Sequence, residues 1–293
     1  VKILNLEPGG YSPKAKAILD DVAEHILWER DGLDSAEVII TRLGYQVNRE
    51  FIDSAPNLKA IVTATTGLDH IDLDAAKARG VDVLSLQGEA DFLSTIPATA
   101  EHTWTLLMAL VRRVPWAFDD VKAGRWNRDS WRGTELKGKT ICIVGAAGRV
   151  GAQVGRYAKV FGMTVFARDT KIGYTDVHPC DILTLHVPLS KETRGMVGVE
   201  QIARTNYLIN TSRGEIVDED ALLEALKSGQ LGGAALDVMT DERGKRNQSL
   251  LEYARQETNL IITPHIAGAT HESMEKCEIF VASKLKRWIE GQE

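Results

Sequence analysis

Short apolar runs alternate with segments of helical spacing along most of the chain. Runs at residues 2–6, 38–41, 59–63 and 81–85 have the apolar and β-branched content of buried strands. Between them, residues 13–23 and 73–79 repeat with helical period, the second stopping at Gly80 as a C-cap. Strand and helix in alternation predict a parallel sheet with helices on both faces. After Ile96 and Pro97 the texture changes. Residues 98–114 read as one long apolar helix carrying Trp104, Leu106, Leu107, Met108 and Leu110. Such a helix suits a core, a domain contact or a dimer contact equally. Residues 122–139, with Gly124, Trp126, Trp131, Gly133 and Gly138, predict an irregular arm.

From residue 140 a second alternation begins. Strands are predicted at 140–144, 164–167, 182–186, 207–210, 233–237 and 260–263, with a helix from Arg149 to Phe161 and another at 219–228 before Gly229. The first of these strands runs into Gly145-Ala146-Ala147-Gly148-Arg149-Val150-Gly151. Glycine there lets the backbone turn tightly and approach a bound group, and the N–H groups opening the next helix form an anion site. The expected anion is a dinucleotide pyrophosphate. The spacing is one residue longer than G-x-G-x-x-G, so either the turn is bulged or Ala146 stands in the first glycine's place. Asp169 falls 18 positions after Gly151, near the roughly 20 expected for the acid that binds the adenosine ribose. An acid there favours NAD over NADP, while the adjacent Arg168 could instead pair with a 2′-phosphate. The step from Asp169 to Asp181 is short for a parallel crossover. Either the crossover is trimmed or residues are omitted between about 170 and 177.

Composition narrows the function classes. With 293 residues at 44% hydrophobic, the chain can hold two domains. A net charge of −6 argues against nucleic acid or an anionic membrane as the main partner. No apolar run approaches the length of a membrane span, and the N-terminus lacks a signal-peptide layout. Three scattered cysteines, Cys142, Cys180 and Cys277, fit a reducing cytoplasm. His178-Pro179-Cys180 has no further ligands at suitable spacing, so no metal site is expected. No G-x-x-x-x-G-K-[ST] is present, which removes a P-loop enzyme.

Three polar stations follow strands of the second series, where open α/β sheets gather ligands. They are Asn210-Thr211-Ser212-Arg213-Gly214, Asp237 with Glu242, and Thr263-Pro264-His265-Ile266-Ala267-Gly268. Arginine offers bidentate recognition of a carboxylate. A histidine can exchange a proton with an alcohol or ketone oxygen, and a glutamate beside it stabilises the imidazolium. Each residue alone has a plain structural reading; all three at strand ends beside a dinucleotide turn point to chemistry.

At this point the chain resembles the D-isomer-specific 2-hydroxyacid dehydrogenases, and most of all their phosphoglycerate dehydrogenase branch. The matching stretches include Thr66-Gly67-Leu68-Asp69, Ala100-Glu101-His102-Thr103, Gly133 to Lys139, His186-Val187-Pro188-Leu189, residues 210–214, residues 233–238 and residues 264–268. The resemblance implies two Rossmann/flavodoxin-like parallel-sheet domains, with an NAD-binding domain at 98–266 inserted into a substrate domain made of 1–97 and 267–293, and an active site in the cleft. It implies that Arg213 binds the substrate carboxylate, that His265 is the acid/base and that Glu242 is its partner. The cofactor shell it implies comprises Thr66, Gly148, Arg149, Val150, Gly151, Asp169, Val187, Thr211, Ser212, Arg213, Asp237, His265, Ala267 and Gly268. Arg42, Thr66, Gly67 and Arg213 would line the substrate. The implied activity is NAD-dependent interconversion of a D-2-hydroxy acid and its 2-keto acid, with 3-phosphoglycerate as leading substrate and hydroxypyruvate or glyoxylate next. A homodimer or dimer of dimers is expected, built on the 98–114 helix and the following arm. The reading from another class is a non-catalytic NAD-sensing scaffold or corepressor, which has no need of the Arg213, Glu242 and His265 set. Departures from the family pattern are Arg243 where a proline commonly follows the glutamate, a long 241–259 loop, and Leu43 where serine commonly follows the arginine. Asp241 adjoins Glu242 and competes with it for the partner role. Trp126 and Arg128 on the arm are the slight support for a phosphate-bearing substrate. One terminal helix before Glu293 leads to the expectation of no regulatory amino-acid-binding domain.

Overall fold

Short strands, most of them rich in β-branched and aliphatic residues, form two parallel sheets. The computed structural model describes residues 1–23, 25–27, 30–170, 178–242, 244 and 247–291. Contacts divide the chain into one unit made of Val1–Thr95 with Ala269–Glu293, and a second made of Ile96–Gly268.

The first unit contains β1 (Lys2–Asn5), α1 (Pro13–Asp20), β2 (His25–Leu27), β3 (Val38–Thr41), α2 (Arg49–Asp53), β4 (Ala60–Thr63), α3 (Leu73–Ala78), β5 (Asp82–Leu84) and α4 (Ala90–Leu93). Its sheet order β2-β1-β3-β4-β5 is that of a doubly wound flavodoxin-like fold. Every residue of β3 and β4 is buried, which is why these strands read as continuous apolar runs rather than alternating ones. Ser12 caps α1 by accepting from the N–H groups of Lys14 and Ala15, and Pro13 opens the helix where its missing N–H costs nothing.

The second unit contains α5 (Ala98–Val111), α6 (Val114–Lys122), β6 (Thr140–Val144), α7 (Arg149–Val160), β7 (Thr164–Arg168), β8 (Cys180–Leu185), α8 (Val199–Ile202), β9 (Thr205–Asn210), α9 (Glu219–Lys227), β10 (Gly233–Leu236), α10 (Gln248–Gln256) and β11 (Leu260–Ile262). All its strands are parallel, in the order β11-β10-β9-β8-β6-β7. The order reverses at β6, which pairs with β7 on one side and β8 on the other, so the ligand crevice of such a sheet falls at the carboxyl end of β6. Cys142, Val144, Leu183 and Leu185 pack into the core on one face, while Ile141, Ile143 and Ile182 pack against α5 and α7 on the other. Finally, α11 (His271–Ile289) returns to the first unit and packs on α1.

The helix expected over 98–114 ends at Val111, and a second helix, α6, begins at Val114. Arg113 is left-handed, with φ 56°. Pro115 explains the break: inside a continuous helix its ring would meet the carbonyl of Val111, and it has no N–H to donate. The long 241–259 loop contains α10, capped by Asn247, whose side chain accepts from the N–H of Leu250. The question of residues omitted between about 170 and 177 falls on 171–177, outside the described residues. Among the described residues no helix is long and apolar enough to cross a membrane.

Candidate active site

The turn after β6 shows which glycine does what. Gly145 has φ +85°, and a Cβ there would overlap the carbonyl of His186. Gly151 lies so close to the turn that a Cβ would overlap the carbonyl oxygen of Gly145. Gly145 is therefore the first glycine and the additional residue sits within the turn, ahead of Gly148. Gly148 caps α7, and Arg149 and Val150 open it. Ala152 is the first residue whose N–H reaches back to the carbonyl of Gly148, at 2.9 Å. A turn stripped of side chains at the start of a 12-residue helix is a cradle shaped for a phosphate group.

Asp169 follows β7, and its Oδ2 accepts the N–H of Ala147 at 2.9 Å, which fastens the turn to the acid. Arg168 pairs with Val144 in the sheet, on the face that carries Cys142 and Phe166, and its charge acts on the Cys142 thiol. Asp169, just beyond the strand, is the acid that reaches the turn through Ala147. Val187 is half-buried beside Gly145. Burial pushes the neighbouring His186 imidazole down from 6.5 to about 3, and its Nε2 lies 2.9 Å from the Thr184 hydroxyl.

Beyond β9, Asn210 folds the next station. Its Oδ1 accepts the N–H and hydroxyl of Ser212 at 3.0 and 2.8 Å, and its Nδ2 donates to the carbonyl of Arg213 at 2.9 Å. The Thr211 hydroxyl is turned to Thr103 on α5, 2.8 Å away. Arg213 has an extended backbone, and its Nη1 donates to the carbonyl of Ser212 at 2.8 Å. A Cβ at Gly214 would overlap the backbone of Met239 and Thr240. Glycine is needed there to bring the Arg213 station against the Asp237–Glu242 loop.

That loop carries Glu242, which meets His265 from the turn after β11. His265 Nδ1 and Glu242 Oε2 are 2.6 Å apart, and Glu242 Oε1 accepts the N–H of Met239 at 3.3 Å. A carboxylate on Nδ1 makes that nitrogen the N–H donor and leaves Nε2 as the proton-exchanging position. Asp241, the competing acid, is left-handed at φ 52°, and its carbonyl accepts the N–H of Gly244. His265 is left-handed too, at φ 55°. Buried Glu219 holds Thr240 in place, accepting its N–H at 2.6 Å. Burial drives the Glu219 carboxyl up, and the hydrogen bonds from Thr240 offset that only in part.

Asp237 is fully buried and engaged by the protein itself. Oδ1 accepts the Thr263 hydroxyl at 2.6 Å and the N–H of Ile266 at 2.9 Å, and Oδ2 accepts the N–H of Ala267 at 2.8 Å. Burial pushes this carboxyl up, but the donors from His102, Thr263, Ile266 and Ala267 outweigh it and hold the group below its ordinary value. The sequence reading places Asp237 and Ala267 in the cofactor shell, and the structure joins the two by the hydrogen bond from the Ala267 N–H. A Cβ at Gly268 would meet nothing within 4 Å, so that glycine is not forced by packing.

In the first unit, Arg42 follows β3. Its Nη2 donates to the carbonyls of Glu7 and Gly9 at 3.0 and 2.8 Å, and its Nη1 lies 3.4 Å from Glu278 of α11. Thr66 is exposed after β4, and the Gly67 carbonyl accepts the Thr65 hydroxyl at 2.9 Å. The sequence reading left Asn210, Thr263 and His102 out of the site. Asparagine closing an apolar strand before a Thr-Ser pair is a signal for the first; a histidine on an otherwise apolar helix is one for the last.

Residues 104–267 match the model of the D-isomer specific 2-hydroxyacid dehydrogenase NAD binding domain. The chain is 36% identical to a D-3-phosphoglycerate dehydrogenase of Methanocaldococcus jannaschii, over 89% of this chain and 51% of that protein. It is also 36% identical to a glyoxylate reductase of Thermococcus litoralis, over 87% of this chain and 81% of the relative. Among solved structures, a D-lactate dehydrogenase from Aquifex aeolicus, complexed with NAD and lactic acid, superposes with a TM-score of 0.85 at 31% identity, covering 100% of this chain and 96% of that one. The chain belongs to the D-isomer-specific 2-hydroxyacid dehydrogenase family, and its second unit carries that family's NAD-binding domain. It spans about half the length of the phosphoglycerate dehydrogenases it matches.

Proposed function

We propose that the protein is an NAD-dependent dehydrogenase interconverting a D-2-hydroxy acid and its 2-keto acid, with D-3-phosphoglycerate as the leading substrate. The observation that carries this reading is the 2.6 Å contact between His265 Nδ1 and Glu242 Oε2, in the same unit as Arg213 and the glycine turn. Residues 98–266 are taken as the cofactor domain, and 1–97 with 267–293 as the substrate domain. The cradle of Gly145, Gly148 and Gly151 fits a pyrophosphate, with the first turn of α7 donating its N–H groups. Asp169 suits a ribose diol, and an acid at that place together with the match to the family's NAD binding domain supports NAD rather than NADP. Thr66, Val187, Thr211 and Ser212 complete the proposed cofactor side, with Gly268 beside them.

Bound NADH supplies the hydride. Arg213 holds the substrate carboxylate and orients the keto carbon. His265 Nε2 gives its proton to the keto oxygen as the alcohol forms, and Glu242 stabilises the charge on the ring before that transfer. In the oxidation direction His265 accepts the hydroxyl proton. Three buried cysteines, none of them in a disulfide, agree with a reducing cytoplasm.

NADH oxidation with phosphohydroxypyruvate, hydroxypyruvate and glyoxylate tests the proposal, with His265→Ala expected to lower turnover by about 10²–10⁴-fold. Arg213→Ala should raise KM and lower kcat together. Full turnover by either variant would overturn the assigned roles. Tight NADH binding without reduction of any keto acid would point to the sensor reading instead. A second substrate reading, hydroxypyruvate or glyoxylate, is favoured by one observation. The Arg42 guanidinium is already bonded to two backbone carbonyls and Glu278, which suits it poorly to a substrate phosphate.

A further inference from the structure

His102 takes no part in the chemistry above. It lies on α5 with its side chain 17% exposed, and its Nε2 is 3.1 Å from Thr263 Oγ1 and 3.3 Å from Asp237 Oδ1. Thr263 donates its own hydroxyl proton to Asp237 Oδ1 at 2.6 Å. The hydroxyl can therefore only accept from His102, which makes Nε2 the protonated nitrogen. Asp237 in turn grips the following loop at three points. Its carboxylate accepts the N–H groups of Ile266 and Ala267, and its carbonyl accepts the N–H of His265 at 2.8 Å. Between these points His265 sits in the left-handed region, at φ 55°. That backbone is uncommon for any residue but glycine, and the contacts at 265–267 help to hold it there.

We propose that His102 is a positioning residue: its Nε2–H orients the Thr263 hydroxyl and the Asp237 carboxylate, which together clamp residues 263–267 in the turn that presents His265 to Glu242. The catalytic consequence rests on the dehydrogenase reading; the clamp itself does not. A donor at Nε2 is what matters, because Asp237 Oδ1 must be shared among the Thr263 hydroxyl, the Ile266 N–H and His102. Without the third donor, the threonine hydroxyl and the carboxylate lose the partner that fixes their rotamers. The loop is then free to relax toward the ordinary right-handed backbone at 265.

Three variants test this. His102→Gln keeps an N–H donor at similar reach, His102→Phe keeps a flat ring without one, and Thr263→Val removes the hydroxyl between histidine and carboxylate. The first readout is amide hydrogen exchange at Ile266 and Ala267 in the enzyme without substrate. It should accelerate about tenfold or more in His102→Phe and Thr263→Val and stay within about threefold of wild type in His102→Gln. The second readout is the split between kcat and KM for the keto acid. In His102→Phe and Thr263→Val, kcat should fall by about 10- to 100-fold with KM nearly constant, as expected when a reacting group is misplaced while substrate binding stays intact. Should His102→Phe fail to fold, Thr263→Val carries the same comparison. Unchanged exchange at Ile266 and Ala267 in the variants lacking the donor or the hydroxyl would overturn the proposal. So would His102→Gln as impaired as His102→Phe, which would assign the effect to ring packing. Absence of turnover in the wild-type protein would sink the dehydrogenase reading alone, and the exchange rates would still decide the role of His102.

Discussion

The short contact from Glu242 to His265 makes a definite demand on both residues. Glu242→Gln keeps the length of the side chain and removes its charge, so the imidazolium loses the anion that stabilises it. Turnover of the keto acid should fall by about 10- to 100-fold with KM little changed, measured as steady-state NADH oxidation. His186 makes a different prediction, about stability. Its folded value of about 3 lies below its ordinary 6.5, so between those values the unfolded chain binds a proton that the folded chain does not. Folding stability should therefore decline as pH falls below about 6.5 and keep declining toward pH 3. His186→Gln should flatten that part of the profile; thermal midpoints at pH 7 and pH 4.5 that drop equally in wild type and variant would contradict this. Of the residue-level chemistry, Arg213, Glu242 and His265 were legible because charged side chains at the ends of apolar strands stand out. The clamp on Asp237 was not. Its donors come from α5, from a threonine hydroxyl and from two backbone N–H groups, and no local pattern announces that they converge. The partners of Arg42 were hidden for the same reason: they are carbonyls 33 and 35 residues away and a glutamate 236 residues away.

At the scale of elements, the strands of both sheets were readable from their apolar runs except β2, whose three residues at the sheet edge give too short a run to stand out. Short helices such as α2, α4 and α8 were not, since five or fewer residues give no period to detect. The sequence reading stopped its helix at 114, three residues beyond the observed end of α5, and did not foresee α6 after it. The glycine turn makes the sharpest prediction at this scale. At Gly145 both the φ of +85° and the overlap with the His186 carbonyl oppose a side chain. Gly145→Ala should cost about 1–3 kcal/mol in chemical denaturation and weaken NADH binding measurably by fluorescence titration. Gly268→Ala, with open space around its Cβ, should leave stability near wild type. If the two alanine variants behave alike, the turn is looser than its geometry indicates. At Gly214 the overlap is with the Met239–Thr240 backbone, so an alanine there should impair the Glu242 loop without touching the nucleotide turn.

For the whole molecule, the decisive property is the proposed self-association, and the second unit offers a surface for it. On α6, Val114, Phe118 and Val121 are 52%, 63% and 52% exposed, and Trp126 on the following arm is 88% exposed. The spacing of the first three puts them on one helix face. We propose that this apolar exposure marks a contact surface. The arm beside it is held in advance. Buried Asp120 accepts Nε1–H of Trp131 at 2.9 Å and Nε–H of Arg125 at 2.6 Å, and those two donors lower its carboxyl below the ordinary range. Fixing the arm before association reduces the ordering cost of forming an interface. A second copy of the chain is the proposed occupant, consistent with the family resemblance of this helix and arm. Phe118→Glu combined with Trp126→Glu places charges on that face without touching Asp120 or the residues of the site. Light scattering should then show the mass falling from twice the chain mass to once, and the thermal midpoint should lose its dependence on protein concentration. A wild-type protein that already scatters as a monomer at micromolar concentration would remove the proposal. A double variant that remains dimeric would move the interface elsewhere, and Asp120→Asn would then be expected to loosen the arm with no change in mass.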